Sequence, residues 1–523
     1  LQKNWVLSAT HAEQVRSVAQ DHHLSSLIAQ ILLNRDLTTR DEISQFLQPS
    51  LAHLPDPSGM KDMARAVARL QDAVAGKERI TIFGDYDVDG TTATALLMDF
   101  FQSVGAVVDF YIPHRMHEGY SLNVNALDKI RAQGTKVLIT VDNGISAHRE
   151  AAHAKQIGLD LIITDHHEVP EKLPEAYAVL NPKQKGDTFP GKELAGVGVA
   201  FYLLIALRKA LRDAGMLPDQ EPNLRLSLDL VAVGTIADMA PLRGINRNLV
   251  KEGLKVLSRT QREGLRALME VSAVDGEVRA DQVAFRIGPR INAVGRLEDA
   301  TVGVKLLLCE DKKTARQLAR ELDAANESRK SLEDDITQEA LAIIEEQDLA
   351  QNHRSLVVCR EHWHSGVVGI VASRLVEKHY LPSIVLTRDK EGLKGSARSI
   401  RGLHLVKALQ QCEGLLEKFG GHAYAAGLSL KKENLAEFTR RFDEVTRSSL
   451  SEENFSPALQ LDAESEMALI DPQLLEQLHR LEPFGLGNPA PLLMLKGVTV
   501  RESRIVGERH LRLQVEESGR LLG

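Results

Sequence analysis

The sequence predicts an α/β protein. A parallel-sheet domain and a second α/β domain are joined by a long helix, with a small β-domain at the C-terminus. Three observations predict this arrangement. From Ile80 onward, short β-type runs alternate with helical segments, the pattern of a parallel sheet with crossover helices. Apolar or small residues at Leu318, Leu322, Ala325, Leu332, Ile336, Ala340 and Ile343 recur in steps of three and four, with one doubled step across Arg329. They predict one long helix over 313–347. Beyond residue 455, "PALQLDAE", "LLMLKGVTVRESRIVG" and "HLRLQVEES" read as alternating strands with turns.

Taken in order, residues 1–75 read as a helical lead-in. "TRDEISQFL" is an acidic-capped helix start, and "MKDMARAVARLQDAVAGK" repeats apolar residues at helical spacing. The first α/β domain, 76–310, offers "ITIF", "VVDFYI" (107–112), "KVLITV" (136–141), "DLIIT" (160–164) and "AYAVL" (176–180), then a mainly helical stretch over 195–270. The long helix forms a connector, 311–350. A second α/β domain, 351–452, starts with "SLVVC" (355–359), a helix over 366–379 and "PSIVLT" (382–387). The β-domain occupies 453–523. The chain begins at Leu1 and stops at "GRLLG" in what reads as mid-strand, so trimming at both ends is expected.

A chain of 523 residues exceeds what one core serves, and two to four domains are expected. Hydrophobic content of 43% and charged content of 26% are those of an ordinary globular protein. Only 4% of residues are aromatic, so an extensive base-stacking surface is not expected. Three scattered cysteines (Cys309, Cys359, Cys412) form neither a disulfide framework nor a zinc signature, which points to a reducing compartment and a cytoplasmic location. No apolar run reaches the roughly 18 residues of a membrane span, and no basic-then-apolar leader is present. A net charge of −8 counts only weakly against a nucleic-acid binder. Metal-site carboxylates add acid without repelling a substrate once ions are bound.

Ligands in open α/β sheets gather beyond the carboxyl ends of the strands. After "ITIF" come Asp85, Asp87 and Asp89; after "LITV" comes Asp142; after "LIIT" come Asp165, His166 and His167; and a later helical run, "LDLVAVGTIADMAPL", delivers Asp238. An aspartate after a strand is most often a cap or turn residue. Several such sites on adjacent strand ends are better explained together. Carboxylates with imidazoles suit Mg²⁺ or Mn²⁺, and several carboxylates sharing one site suit a two-metal centre acting on a phosphoryl group. The alternate spacing of Asp85, Asp87 and Asp89 is expected on an extended segment, with Gly90 turning the chain into a helix. "DVDGT" alone reads like the aspartyl-phosphate motif of haloacid-dehalogenase-type phosphatases. That motif places its nucleophile directly after the strand, whereas this strand is expected to end near Phe83, four residues before Asp87.

"DHH" at 165–167, behind "DYDVDG" and "VDNG" and ahead of Asp238, resembles the ordered motif set of the DHH phosphoesterase superfamily. "GLKGSARSI" (392–400) and "FGGHAYAAGLSL" (419–430) look like the DHHA1 domain that binds substrate phosphate or nucleotide. With "IPHRMHEGYSL", "GVGVAFYLL", "GTIADMAPL" and "GPRINAVGR", the chain resembles the RecJ family of bacterial single-strand-specific 5′→3′ DNA exonucleases, whose terminal β-domain is OB-like. The resemblance implies Mn²⁺ or Mg²⁺ as a pair of ions. It makes Asp87, Asp89, Asp142, His166 and Asp238 the metal ligands, with Asp142 as bridge, Asp85 supporting or joining the first site and His167 facing the scissile phosphate.

The resemblance also implies a role in DNA recombination and repair. Single-strand binding protein and a RecQ-type helicase would be partners, and no membrane is involved. The chain is expected to be a monomer. Candidates for holding the DNA backbone are Arg115, Arg290, Asn292, Arg296, Ser396, Arg398, Ser399, Arg401 and His422, with Tyr120 as a stacking residue. Small residues beside Arg in "GSARSIR" and accessible amides in "GGHA" favour close approach to phosphate. His364, just before a helix start, reads either as an anion contact or as a cap. Two rival functions stand beside this reading. One is a DHH phosphodiesterase for short RNA or cyclic dinucleotides, and the other is a non-catalytic DHH scaffold that binds DNA.

Overall fold

The computed structural model describes residues 3–522 apart from 115–117, 119, 120, 298, 391, 508 and 509. Two units emerge, one of Ser8–Asn326 with Asp462–Gly523, the other of Leu1–Leu7 with Glu327–Leu461.

The larger unit is built on a five-stranded parallel sheet. Its elements are β1 (Ile80–Gly84), helix α1 (Val88–Ser103), β2 (Val108–Tyr111), β3 (Val137–Val141), β4 (Asp160–Thr164) and β5 (Ala178–Leu180), in the spatial order β2-β1-β3-β4-β5. β1 and β3 are buried along their whole length, as their uninterrupted apolar runs require of strands covered on both faces. The strand order reverses between β1 and β3. Their carboxyl ends therefore flank the crevice in which doubly wound sheets take up ligands. β1 ends at Gly84, one residue later than expected.

Two of the following helices close over that crevice: α2 (Gly196–Asp213) and α3 (Leu228–Ala237). Both share one hydrophobic core with α1. Glycine permits the approach of α3, since a Cβ on Gly234 would lie 2.3 Å from Thr92 Oγ1 of α1. At the far ends of α1 and α3 the Arg262 guanidinium bridges Asp99 and Asp229, with Nε 3.3 Å from Asp229 Oδ1. Thr260 adds a hydroxyl donor to Asp229 at 2.6 Å. Both helices that deliver acids to the crevice are thus pinned at the ends away from it.

The long helix is α4 (Lys312–Glu346), one residue displaced from expectation, and its residues contribute to both units. The smaller unit holds β6 (Leu356–Cys359), helix α5 (Val368–His379), β7 (Ser383–Asp389), β8 (Gly392–Arg398), β9 (Lys418–Gly421) and β10 (Ala425–Leu430). They form a mixed sheet ordered β9-β10-β8-β7-β6, in which only β6 and β7 run parallel.

Two regions differ from expectation. The helical lead-in begins with a strand, Asn4–Leu7, which pairs in parallel with Ala458–Leu461 and so joins the smaller unit. Four residues carry too little alternation to announce a strand whose partner lies at the far end of the chain. The C-terminal region is not purely β. It contains a helix, Pro472–Arg480, capped by Asp471, whose side chain accepts from Leu474 N at 2.7 Å, with proline at the first helical position. Thr499–Val506, His510–Glu517 and Arg520–Leu522 follow as a three-stranded antiparallel sheet. No helix among the described residues is long and apolar enough to cross a membrane.

Candidate active site

The acids after β1 do not sit on one extended segment. Asp85 leaves the strand. Asp87 caps α1, its Oδ1 accepting from Gly90 N at 3.0 Å, and Asp89 lies in the first turn of α1. Gly90 is therefore already helical, and its service is close approach rather than a turn. A Cβ there would come within 2.6 Å of Asp85 backbone atoms. Val88 N donates to Asn292 Oδ1 at 3.2 Å, so one of the free amides at the helix start is met from the "GPRINAVGR" segment.

Asp89 is buried against the start of α2, where Gly196 N donates to its Oδ2 at 2.6 Å and Val197 N to its Oδ1 at 2.8 Å. "GVGVAFYLL" owes its first glycine to this fit. A Cβ on Gly196 would lie 2.8 Å from Asp142 Cβ and 3.0 Å from Asp89 Oδ2. Asp142 follows β3 with φ of 61°, a left-handed conformation that aspartate tolerates better than most residues. Its amide donates to Thr164 O at 3.0 Å. Asn143 Nδ2 ties the same turn to Phe83 O and Val141 O.

After β4, Asp165 is buried and gathers donors from Ile145 N, His166 N, His167 N and His167 Nδ1, the last at 2.7 Å. It orients His167 rather than joining the acid cluster. His166 Nε2 lies 3.0 Å from Asp142 Oδ1 and 3.8 Å from both Asp89 Oδ2 and Asp238 Oδ2. Asp238 caps the C-terminal end of α3. Three ligand groups result: Asp85, Asp87 and Asp142; Asp89, His166 and Asp238; and Asp142, His166 and His167. Asp142 and His166 each belong to two of them.

The electrostatics show what such crowding costs. Burial, then Asp87, pushes the Asp89 carboxyl up to about 7. Burial, then Asp89 and Asp87, pushes Asp238 up to about 9. Asp142 is driven well above the carboxylate range by burial and then by Asp89, Asp87, Asp85 and Asp238. Burial, then His167, pushes His166 down to about 4, leaving it a neutral imidazole. His167 goes the other way. Burial opposes its charge, but the bond and charge of Asp165 outweigh burial and raise it to about 9. Asp142 Oδ1 and His166 Nε2 are buried without a hydrogen-bond partner although they almost touch. Oxygen donors, a neutral imidazole and orphaned buried atoms at one spot fit a pair of hard divalent cations.

The phosphate candidates fall in different places. Arg115 and Tyr120 lie outside the described residues. Arg290 is held by Asp323 at 2.8 Å and by the carbonyls of Arg286 and Val271. Arg296 is half-buried in the same helix as Asn292, where Gly295 packs so closely that a Cβ would meet Tyr86 O at 2.3 Å. In the smaller unit, Ser396 and Arg398 stand on β8 beside the start of α5. A Cβ on Gly369 would lie 3.2 Å from both Ser396 Oγ and Arg398 Nη2. Burial lowers the Arg398 pKa, and its Nη1 donates to Ala397 O at 2.9 Å. Ser399 Oγ donates to Leu403 O at 2.8 Å, while Arg401 and His422 are exposed, His422 on the β9–β10 hairpin. His364 Nδ1 accepts from Gly366 N at 3.1 Å, closing a turn ahead of the helix rather than capping it.

Sequence reasoning passed over Asp165 as an orienting residue and Asn181, whose Nδ2 donates to His167 O at 2.9 Å. The signal was present, because Asn181 directly follows β5 as the acids follow β1, β3 and β4.

The comparisons accord with this geometry. The model of the DHH family N-terminal domain matches residues 79–235, that of the DHHA1 domain 352–448 and that of the RecJ OB domain 461–522. The three expected parts, the OB-like one included, are thereby borne out. The chain is 42% identical to the single-stranded-DNA-specific exonuclease RecJ of Dickeya dadantii, over 91% of this chain and 84% of that one. It is 41% identical to the protein of the same name from Bacillus subtilis, over 99% of this chain but only 65% of the relative's length. RecJ from Thermus thermophilus, solved in complex with Mn²⁺, superimposes with a TM-score of 0.84 at 33% identity, covering 99% of this chain and 73% of that one. A parallel sheet carrying the DHH motif set, a DHHA1 sheet and an OB part in this order, with identity of this extent, place the chain in the RecJ family.

Proposed function

We propose that the chain hydrolyses phosphodiester bonds of single-stranded DNA from the 5′ end, releasing 5′-mononucleotides, with two Mn²⁺ or Mg²⁺ ions. One observation carries the reading: three ligand groups that share Asp142 and His166 at the crevice of the sheet. Asp85, Asp87 and Asp142 would hold one ion, and Asp89, His166 and Asp238 the other, with Asp142 between them. When bound, the ions supply a hydroxide nucleophile and neutralise charge on the phosphate.

The chain's own residues do the remaining work. The α2 amides fix Asp89, and Asn292 and Gly90 hold the loop that carries Asp85 and Asp87. His167 Nδ1–H donates to Asp165, whose charge holds the ring as an imidazolium, and Nε2–H is then the donor to a phosphate or leaving-group oxygen. Ser396, Arg398, Ser399, Arg401 and His422, with Arg115, Tyr120 and Arg296, serve the strand's backbone and bases. Arg290 and Asn292 instead support the site from within the larger unit. Partners of the kind the family resemblance implies, single-strand binding protein and a RecQ-type helicase, a cytoplasmic location, a monomeric state and a role in recombination and repair belong to this proposal.

The test is single-stranded DNA blocked at the 5′ or the 3′ end in turn, incubated with Mn²⁺ or with chelator. Mononucleotides released only with metal and only from a free 5′ end are expected. An intact strand in every arm, from folded protein with bound metal, would overturn the reading in favour of a small-nucleotide phosphodiesterase or a scaffold.

A further inference from the structure

The acids follow three strands of the sheet, but β5 also ends at this crevice. Its last residue leads into "NPKQ", with Asn181 buried and Lys183 half-buried. Asn181 holds both neighbours. Its Oδ1 accepts from Lys183 N at 2.9 Å while its Nδ2 donates to His167 O at 2.9 Å. The Lys183 backbone is therefore anchored to the DHH segment through one side chain.

Lys183 Nζ lies 2.8 Å from Glu168 Oε1, the carboxylate next after His167. The two partners are unequally placed: the Lys183 side chain is 30% exposed and that of Glu168 73%. A partner so exposed is easily exchanged, because water solvates the released carboxylate well. Glu168 directly follows His167, and Asn181 ties the Lys183 backbone to His167 O, so the ammonium stands beside the DHH segment. The ligand cluster is also short of positive charge. Asp85, Asp87, Asp89, Asp142 and Asp238 carry one more negative charge than two divalent ions offset, before an anionic phosphodiester arrives. Substrate binding calls for cations beside the ions, and Lys183 is a cation held next to the DHH segment.

We infer that Lys183 is a substrate-binding residue of this site, which exchanges Glu168 for a non-bridging phosphate oxygen of the DNA strand. The inference rests on the phosphodiesterase reading above. Glu168 then acts as a competitor for the ammonium, a placeholder that keeps Lys183 at the crevice and lowers affinity. An ordinary surface ion pair would behave differently, since removing either end of it would have the same sign of effect.

The experiment is hydrolysis of a 5′-phosphorylated oligothymidylate with Mn²⁺ by the full chain and by Lys183→Met, Lys183→Arg, Glu168→Gln and the Lys183→Met/Glu168→Gln pair, across a salt series. Lys183→Met should raise KM about fivefold at low salt and reduce the slope of log(kcat/KM) against log salt by about 0.7. Lys183→Arg should restore both. Glu168→Gln should lower KM, and the double variant should match Lys183→Met. Shifts of KM in the same direction for Lys183→Met and Glu168→Gln, or an unchanged KM and salt slope in Lys183→Met, would overturn the inference while wild-type hydrolysis upholds the function. A wild-type chain that neither binds nor degrades the strand would overturn both.

Discussion

Gly196→Ala tests whether the start of α2 is part of the metal centre. The added methyl would lie 2.8 Å from Asp142 Cβ, 3.1 Å from Asp142 Cα and 3.0 Å from Asp89 Oδ2. Carbon atoms pack comfortably at about 3.5–4.0 Å, so Asp142 must retreat by roughly 0.7–1.2 Å. Asp142 cannot retreat freely, because its amide is tied to Thr164 O and its turn to Phe83 O by Asn143. The helix would yield instead, drawing Gly196 N and Val197 N away from Asp89. For the fold, overpacking costs about 1–3 kcal/mol and the better helix propensity of alanine returns up to about 1 kcal/mol. The net loss is small against the roughly 5–15 kcal/mol of a folded domain. For ion binding the same displacement is severe, since ligand distances tolerate only about 0.2 Å. We expect Mn²⁺ affinity to fall about 10–100-fold, as for other losses of support behind metal ligands, with hydrolysis falling alongside it and the melting temperature nearly unchanged. Calorimetric titration of Mn²⁺ into chelator-stripped protein, paired with the nuclease assay, measures both. Gly414→Ala is the control, because a methyl there meets nothing within 4 Å. Wild-type Mn²⁺ affinity and rate in Gly196→Ala would refute the reasoning.

Asp142→Asn, which keeps a side chain suited to the left-handed backbone, should abolish turnover and yet stabilise the metal-free protein by about 1–2 kcal/mol of relieved carboxylate crowding; a lowered melting temperature in chelator would contradict the electrostatics described above. The metal-free protein should also lose stability as pH rises from 6.5 toward 9. Asp238 holds its proton up to about 9 in the folded state against 3.8 unfolded, and His167 holds its own to about 9 against 6.5, so over this window the folded chain binds more protons than the unfolded one. Asp89, raised to about 7, adds to the loss at the lower end. His166 works in the opposite direction only below this window, where its pKa is lowered to about 4. Thermal unfolding in chelator across that range should show a decline, and Mn²⁺ should stabilise more at the alkaline end; a flat or rising profile would count against it.

The clustering of the acids was legible because a parallel sheet sends every strand's carboxyl end to one side. A residue's place just after an apolar run therefore carried three-dimensional information without any knowledge of packing. Asp238 was legible for a different reason, as the end of a helix too apolar to lie on a surface. What the sequence could not supply was local conformation. Asp85, Asp87 and Asp89 alternate as they would in a strand, yet one follows a strand, one caps a helix and one lies within it. The period of two was accidental, and the helix cap at Asp87 had the better physical warrant. The strand at Asn4–Leu7 was not legible at all, since its pairing partner sits at Ala458–Leu461. The helix at Pro472–Arg480 was legible and missed, for Asp471 and Pro472 open it in the ordinary way.

The basic motifs taught the opposite lesson about reading chemistry from residue type. "GPRINAVGR" offered Arg290, Asn292 and Arg296 as DNA-backbone contacts because the run resembles a motif of the family. In the fold those features have other uses. Arg290 is paired with Asp323, Asn292 caps the helix that carries Asp89, and Gly295 lets the segment lie against Tyr86 between two of the acids. Lys183 was overlooked because it stands alone in a segment without a motif. Exposure separates the two cases: Arg290, itself mostly buried and held by Asp323 and two carbonyls, has little left for a ligand, whereas Lys183 is paired with a far more exposed glutamate. A charged residue near an acidic centre is therefore better judged by how cheaply its present partner can be displaced than by the company it keeps in sequence.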